Sequence, residues 1–145
     1  NGPGHSEILL TRAFPGLQRI EFEAVTDVER PCDFSPAIQT SSGVSTVRED
    51  GYLLQFGGAG NTLNRILRND VQLEDRSVPK FIEPGRWHLV VAELDGGTVR
   101  LTVDGQTIVE TIDGQPLVGA GHDRVGLYLY NRTCIRALRV YTSEP

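Results

Sequence analysis

Between Tyr52 and Asn69 the sequence YLLQFGGAGNTLNRILRN gathers amides, guanidinium groups and glycines beside two apolar stretches. Gln55, Asn61, Asn64, Arg65, Arg68 and Asn69 offer planar donors and acceptors, and Gly57, Gly58 and Gly60 let the backbone turn tightly or approach a ligand closely. Paired hydrogen bonds from amides and guanidinium forks suit vicinal hydroxyls or a uronic carboxylate. The same residues also read as a Gly-rich hairpin with solvated polar side chains. A phosphate-gripping loop is excluded, because no Gly-Lys-Ser/Thr follows GGAG and no strand-helix-strand context surrounds it.

A second set lies in VGLYLYNR. In a regular strand Tyr128, Tyr130 and Arg132 share one face, while Val125, Leu127 and Leu129 share the other. The aliphatic set belongs inside. Two tyrosines outside would give the apolar side of a sugar ring a platform, although tyrosines at such positions are also common packing residues.

The remaining chemistry-bearing residues are more scattered. His88 follows Trp87 and reads either as an acid/base on a concave face or as a structural hydrogen-bonder. No CxxC or HxxxH spacing supports zinc. Asp95, Asp104, Asp113 and Asp123 are oxygen donors that could serve calcium, and they are equally explained as turn formers. Cys32 and Cys134 read either as a bridge between distant strands or as two separate thiols. Asn131-Arg132-Thr133 has the pattern of an N-glycosylation acceptor, which matters only on a eukaryotic secretory route.

Something must hold these groups, and composition indicates what. The 145 residues, with 16 Gly and 8 Pro, have few helix-period runs and enough length for one domain with its own core. The net charge of −5 argues against a nucleic-acid partner, which wants a basic stripe. No apolar run approaches the roughly 20 residues that a membrane span needs, so no membrane insertion is expected. Residues 1–6 carry turn residues without apolar pattern and read as a linker or tag remnant, leaving 7–145 as a single domain.

Strand signals then recur along the whole chain. Residues 7–13 and 18–26 are expected to flank a turn at Pro15-Gly16; Ile20, Phe22 and Ala24 alternate with Glu21 and Glu23. Ser35–Gln39 is a short strand that tolerates Pro36 only near an edge or its start. Ser41-Ser42-Gly43, Glu49-Asp50-Gly51 and Glu83-Pro84-Gly85 mark turns, and Glu74-Asp75 lies in a loop. From Trp87 to Tyr141 four or five strands follow, punctuated by Asp95-Gly96, Asp104-Gly105 and Asp113-Gly114, steps that favour hairpins because both residues accept positive φ. Nine to twelve strands without a convincing helix specify an all-β, two-sheet antiparallel β-sandwich.

The run PGRWHLVVAELDGGTVRLTVDGQTIVE, followed by DRVGLYLYN and IRALRVY, resembles the second half of the concanavalin A-like lectin/glucanase sandwich, the laminin-G and pentraxin type of jelly roll. It is also similar to bacterial polysaccharide-associated domains of that fold, in which a segment like GYLLQFGGAGNTLNRILRN precedes the Trp strand. The resemblance implies a jelly roll whose strand-opening Trp87 packs in the core. It implies a carbohydrate-binding module as well, an accessory domain of a larger secreted, periplasmic or cell-surface protein whose partner is a polysaccharide or oligosaccharide. The expected platform is Gln55, Asn61, Asn64, Arg65, Arg68, Tyr128 and Tyr130.

Two alternatives accompany it. A retaining glycosidase needs two carboxylates about 5 Å apart, and the Glu-x-Asp-x-Glu strand of related glucanases is missing; Glu21 and Glu23 share a face that reads as exposed. A lyase would use Arg65 or Arg68 to neutralise a uronate while Tyr128, Tyr130 or His88 takes the proton. The other alternative is a structural or protein-interaction module of the laminin-G kind.

Overall fold

The computed structural model describes residues 4–73 and 76–144, so Glu74-Asp75 lie outside the described residues. In chain order the strands are β1 (His5–Leu9), β2 (Leu17–Val25), β3 (Phe34–Thr40), β4 (Tyr52–Gly57), β5 (Leu63–Arg68), β6 (Val71–Gln72), β7 (Arg76–Ser77), β8 (His88–Asp95), β9 (Thr98–Val103), β10 (Gln106–Ile112), β11 (Arg124–Tyr130) and β12 (Cys134–Ser143). They form two six-stranded antiparallel sheets. The front sheet has the order β1-β11-β3-β4-β5-β6 and the back sheet β12-β2-β8-β9-β10-β7. His5 and Ser6, which the sequence pattern places before the first strand, are in it, paired with Tyr130 and Leu129.

Period-2 alternation decides which side chains meet between the sheets. Ile20, Phe22 and Ala24 of β2, with Val99, Leu101 and Val103 of β9, point inward and are fully buried. From the front sheet Phe34, Leu54, Phe56, Ile66, Val125 and Leu127 meet them in one apolar cluster. Each such large side chain stabilises the fold by about 1.5–3 kcal/mol on leaving water. A second, smaller cluster of Ala37, Val47, Leu53 and Leu67 sits on the other face of the front sheet. There the segment between β3 and β4 folds back over the sheet, held by Glu7, whose carboxylate accepts from Thr46 Oγ1 and the Val47 N–H at 2.8 Å each.

The turns were only partly foreseen. Asp95-Gly96 and Asp104-Gly105 do close hairpins, and Asp104 (φ 52°) with Gly105 (φ 80°) takes the doubly left-handed turn that Asp-Gly favours. Asp113-Gly114 does not. There the chain leaves the back sheet and crosses to β11 in the front one, because the Asp113 carboxylate is claimed by Tyr52 Oη at 2.6 Å, by Arg68 and by the Gln115 N–H. Likewise the segment around Pro15-Gly16 joins two sheets rather than two neighbouring strands. Pro36 sits third in a central strand, where β4 is in register only with Ala37 and Ile38 beyond it.

Trp87 corrects an expectation. It is 37% exposed on the outer face of the back sheet, with the Arg136 guanidinium 4.0 Å from its ring centre. His88 takes the core position instead, fully buried with its ring edge-on to Phe56. Its Nε2 accepts the Glu83 N–H at 3.1 Å, which places the ring proton on Nδ1, 2.9 Å from Asp104 Oδ2. The two cysteines are free thiols, Cys32 buried and Cys134 exposed.

Candidate functional site

On its outward face the front sheet presents Tyr128 and Tyr130 from β11, Ser35 from β3, Gln55 from β4 and Arg65 from β5. The folded-back segment covers one half of this face and leaves the other open. The open half forms a cleft of about 440 Å³, walled by Ala59 and Gly60 on one side, by Arg30 and Asn131 on another and by Arg48 at the covering segment. A volume of that size falls in the range of small-ligand sites, about 300–1,000 Å³.

The floor is a continuous hydrogen-bond chain. Arg65 Nε donates to Gln55 Oε1 at 2.5 Å, and Gln55 Nε2 donates to Asp33 Oδ1 at 2.8 Å. Ser35 Oγ donates to the same oxygen at 3.0 Å, and Cys32 Sγ to the other at 3.0 Å. Asp33 is buried and has a left-handed backbone, φ 48°, fixed from both sides: its N–H reaches the Gly57 carbonyl and its carbonyl receives the Tyr130 N–H. Gln55 and Arg65 are direct cross-strand partners, so the strand register itself sets their contact.

Gly57 and Gly58 make that register compatible with the turn that follows. Gly57 has φ 73°, and a Cβ there would stand 2.6 Å from Ile82 Cδ1. At Gly58 a Cβ would stand 2.9 Å from the Gln55 amide. The glycines therefore serve a tight turn packed against Gln55.

Burial, with the Asp33 charge behind it, pushes the Tyr128 hydroxyl up against the opposing pull of Arg48. The Tyr128 ring is already engaged, stacked on His5 at 5.2 Å and with Arg48 5.8 Å from its centre. Arg48 in turn holds Asp70 through Nε and Nη2. Burial also pushes the Cys32 thiol up to about 11, with Asp33 adding to the effect.

Of the residues singled out by sequence, the structure brings Gln55, Arg65, Tyr128 and Tyr130 together in the cleft. Asn61, Asn64 and Arg68 stand elsewhere. Asn61 exchanges two hydrogen bonds with the Ile82 backbone, Asn64 bonds the Gly57 N–H and the Val78 and Lys80 carbonyls, and Arg68 pairs with Asp113. Asn64 and Arg68 have the opposite strand parity to Arg65, which turns them away from this face. Arg132 lies past the end of β11, where Asn131 turns left-handed, and pairs with Asp27.

The catalytic alternatives lose most of their parts. His88 is in the core and Arg68 is off the cleft. The shift at Tyr128 runs opposite to what a proton-abstracting phenolate needs. Asp33 is the one carboxylate among the described lining residues, so no pair of acids faces the cleft. Glu21 and Glu23 are on the outside of the back sheet, bonded to Arg19, Arg139 and Arg136. The four turn aspartates do not converge, and no group of three metal-capable side chains occurs among the described residues.

Asp33, Arg30 and Arg48 were not foreseen. Arg30 and Asp33 come from the segment between β2 and β3 and Arg48 from that between β3 and β4, and a single acid ahead of a strand or an arginine in a polar segment carries no local signal of a shared cleft.

No protein family and no curated protein matches the chain at the sequence level. Solved structures do match. The carbohydrate-binding module CBM66 from Bacillus subtilis superposes with a TM-score of 0.70 at 12% identity, over 98% of this chain and 84% of that one. A two-residue variant of human galectin-16 gives 0.61 at 9% identity, over 93% and 94%. A sialidase gives 0.60 at 9% identity, covering 97% of this chain but 14% of the sialidase. The fold is thus a galectin-like jelly-roll sandwich, and the structural likeness runs along nearly the whole chain.

Proposed function

We propose that this chain is a carbohydrate-binding module whose saccharide lies in the open half of the front sheet. The observation that carries the reading is the meeting of Gln55, Arg65, Tyr128 and Tyr130 in one cleft on a fixed sheet face. Arg65 and Gln55 offer a guanidinium and an amide locked in position, so little rotamer entropy is lost when hydroxyls replace water. Tyr130 supplies an aromatic face for the apolar side of a sugar ring, while Tyr128, whose ring is engaged by His5 and Arg48, contributes its hydroxyl.

That solved neighbours include a carbohydrate-binding module and galectins is consistent with this use of the fold. We read the chain as an accessory domain of a larger secreted, periplasmic or surface protein. No described helix is long and apolar enough to cross a membrane.

The test is retention on a glycan array by the protein and by an Arg65→Ala, Tyr130→Ala double variant. Each lost contact is worth about 1.5–3 kcal/mol where a charged donor is involved, so binding is expected to fall at least about tenfold with the melting temperature preserved. Undiminished retention would overturn the assignment of the cleft.

A further inference from the structure

We infer that the saccharide held by this cleft carries a carboxylate. The inference rests on the carbohydrate reading above and names the class of sugar. The chain is acidic, with a net charge of −5, yet the cleft lining holds Arg30, Arg48 and Arg65 against Asp33 alone. Asp33 faces inward. Both of its oxygens are occupied by Cys32, Ser35 and Gln55, so it shapes the floor instead of meeting the ligand.

The pairing of the arginines separates this cleft from the rest of the surface. Outside the cleft every arginine whose side chain is described, apart from Arg12, lies within 4.0 Å of a carboxylate, and so does Arg48 in the cleft lining, which pairs with Asp70. Arg12 lies over the Phe14 ring. Arg30 and Arg65 are the exceptions in the cleft and have no carboxylate partner among the described residues. Among the described residues Arg65 is positioned by neutral amides, Gln55 at Nε and Gln72 at a long 3.5 Å from Nη1. Among the described residues no anion compensates this guanidinium, and beyond the long Gln72 contact its Nη groups have no described partner.

Two parallel N–H groups on the Nη edge of Arg65 match the oxygens of a planar carboxylate, and Arg30 adds a second cation to the same lining. A neutral sugar would leave both charges uncompensated in a partly desolvated cleft. A uronic acid and a sialic acid present the same group, so both belong among the test ligands.

An array carrying trigalacturonate beside galactotriose, sialyllactose beside lactose, and sulfated lactose tests this within one measurement. At least one carboxylated arm is expected to retain the protein at least about tenfold more strongly than its neutral counterpart. That advantage should shrink with added salt and be lost in Arg65→Gln and in Arg30→Gln. Equal retention of acidic and neutral arms would overturn the inference while leaving the carbohydrate reading intact. Retention by the sulfated arm alone, or by neutral glycans alone, would overturn it too. An array on which no glycan of any class is retained would remove the underlying reading as well.

Discussion

The imidazole Nδ1 of His88 lies 2.9 Å from the carboxylate of Asp104, joining the buried end of β8 to the turn between β9 and β10. The same carboxylate accepts the Leu89 N–H, and Lys80 and Arg86 stand 3.4 Å away. Burial alone would raise the Asp104 pKa. The hydrogen bonds from His88 and Leu89, with Lys80 nearby, outweigh it and hold the carboxyl below its ordinary 3.8. A depressed folded pKa means that this stabilisation is fully present above pH 3.8 and is lost as pH falls through the lower folded value. Asp104→Asn is expected to cost about 1–3 kcal/mol at neutral pH and to flatten the acid limb of a stability-against-pH curve. Urea titrations from neutral to strongly acid pH check both, and an unchanged acid limb would contradict the linkage.

The same residues show what sequence could and could not convey. Alternation in β2 and β11 placed Ile20, Phe22, Val125 and Leu127 inside because a strand's faces follow from parity alone. Parity also settles Trp87, since His88 is in phase with Val90, Ala92 and Leu94; the resemblance that implied a core Trp87 carries no such constraint. Composition alone grouped Asn64 and Arg68 with Arg65, and parity separates them. Long-range capture left no local trace. Asp113-Gly114 looks like Asp104-Gly105 until Tyr52 and Arg68 arrive from the other sheet, and Asp33 becomes the cleft floor only when β4 delivers Gln55.

Cysteine reactivity should be strongly asymmetric. Cys32 is buried, donates to Asp33 and has its thiol pushed up to about 11, whereas Cys134 is exposed at the start of β12. Thiolate is the reactive form, so iodoacetamide at about pH 8 is expected to add once to the native protein, at Cys134, and twice after denaturation. Intact-mass and peptide-mass measurements count the adducts. The raised value also has a stability consequence, present below the ordinary 9.0 and lost as pH rises through about 11. Comparable native labelling of Cys32 would contradict its burial.

Trp87 offers an optical check, being the single tryptophan of the chain. It lies at the surface under Arg136, itself bonded to Glu23, on the sheet that faces away from the cleft. Its emission in the native protein is expected to be readily quenched by acrylamide and to change in Arg136→Ala, which removes a contact worth about 0.5–1 kcal/mol. Saturating glycan should leave that emission unaltered. Emission shielded from the quencher would place Trp87 inside, against the structure.

Gly57 and Gly58 are adjacent, yet alanine at each should have different effects. Gly57 combines φ 73° with a position where Cβ would meet Ile82 Cδ1 at 2.6 Å and Asn61 Oδ1 at 2.8 Å, atoms of the two residues whose mutual hydrogen bonds close the turn. Gly57→Ala is therefore expected to cost about 1–3 kcal/mol of stability through strain and overpacking. Gly58 has no positive φ, and its Cβ would press at 2.9 Å on the end of a side chain, the Gln55 amide. That amide can yield by a few tenths of an ångström, but in yielding it shifts the oxygen that orients Arg65 Nε. Gly58→Ala should accordingly melt close to the parent protein while losing about tenfold in glycan affinity, because recognition depends on guanidinium placement more steeply than folding does. Thermal melts and array titrations of the two variants side by side decide it: equal losses of stability would mean that the Gln55 contact supports only the fold.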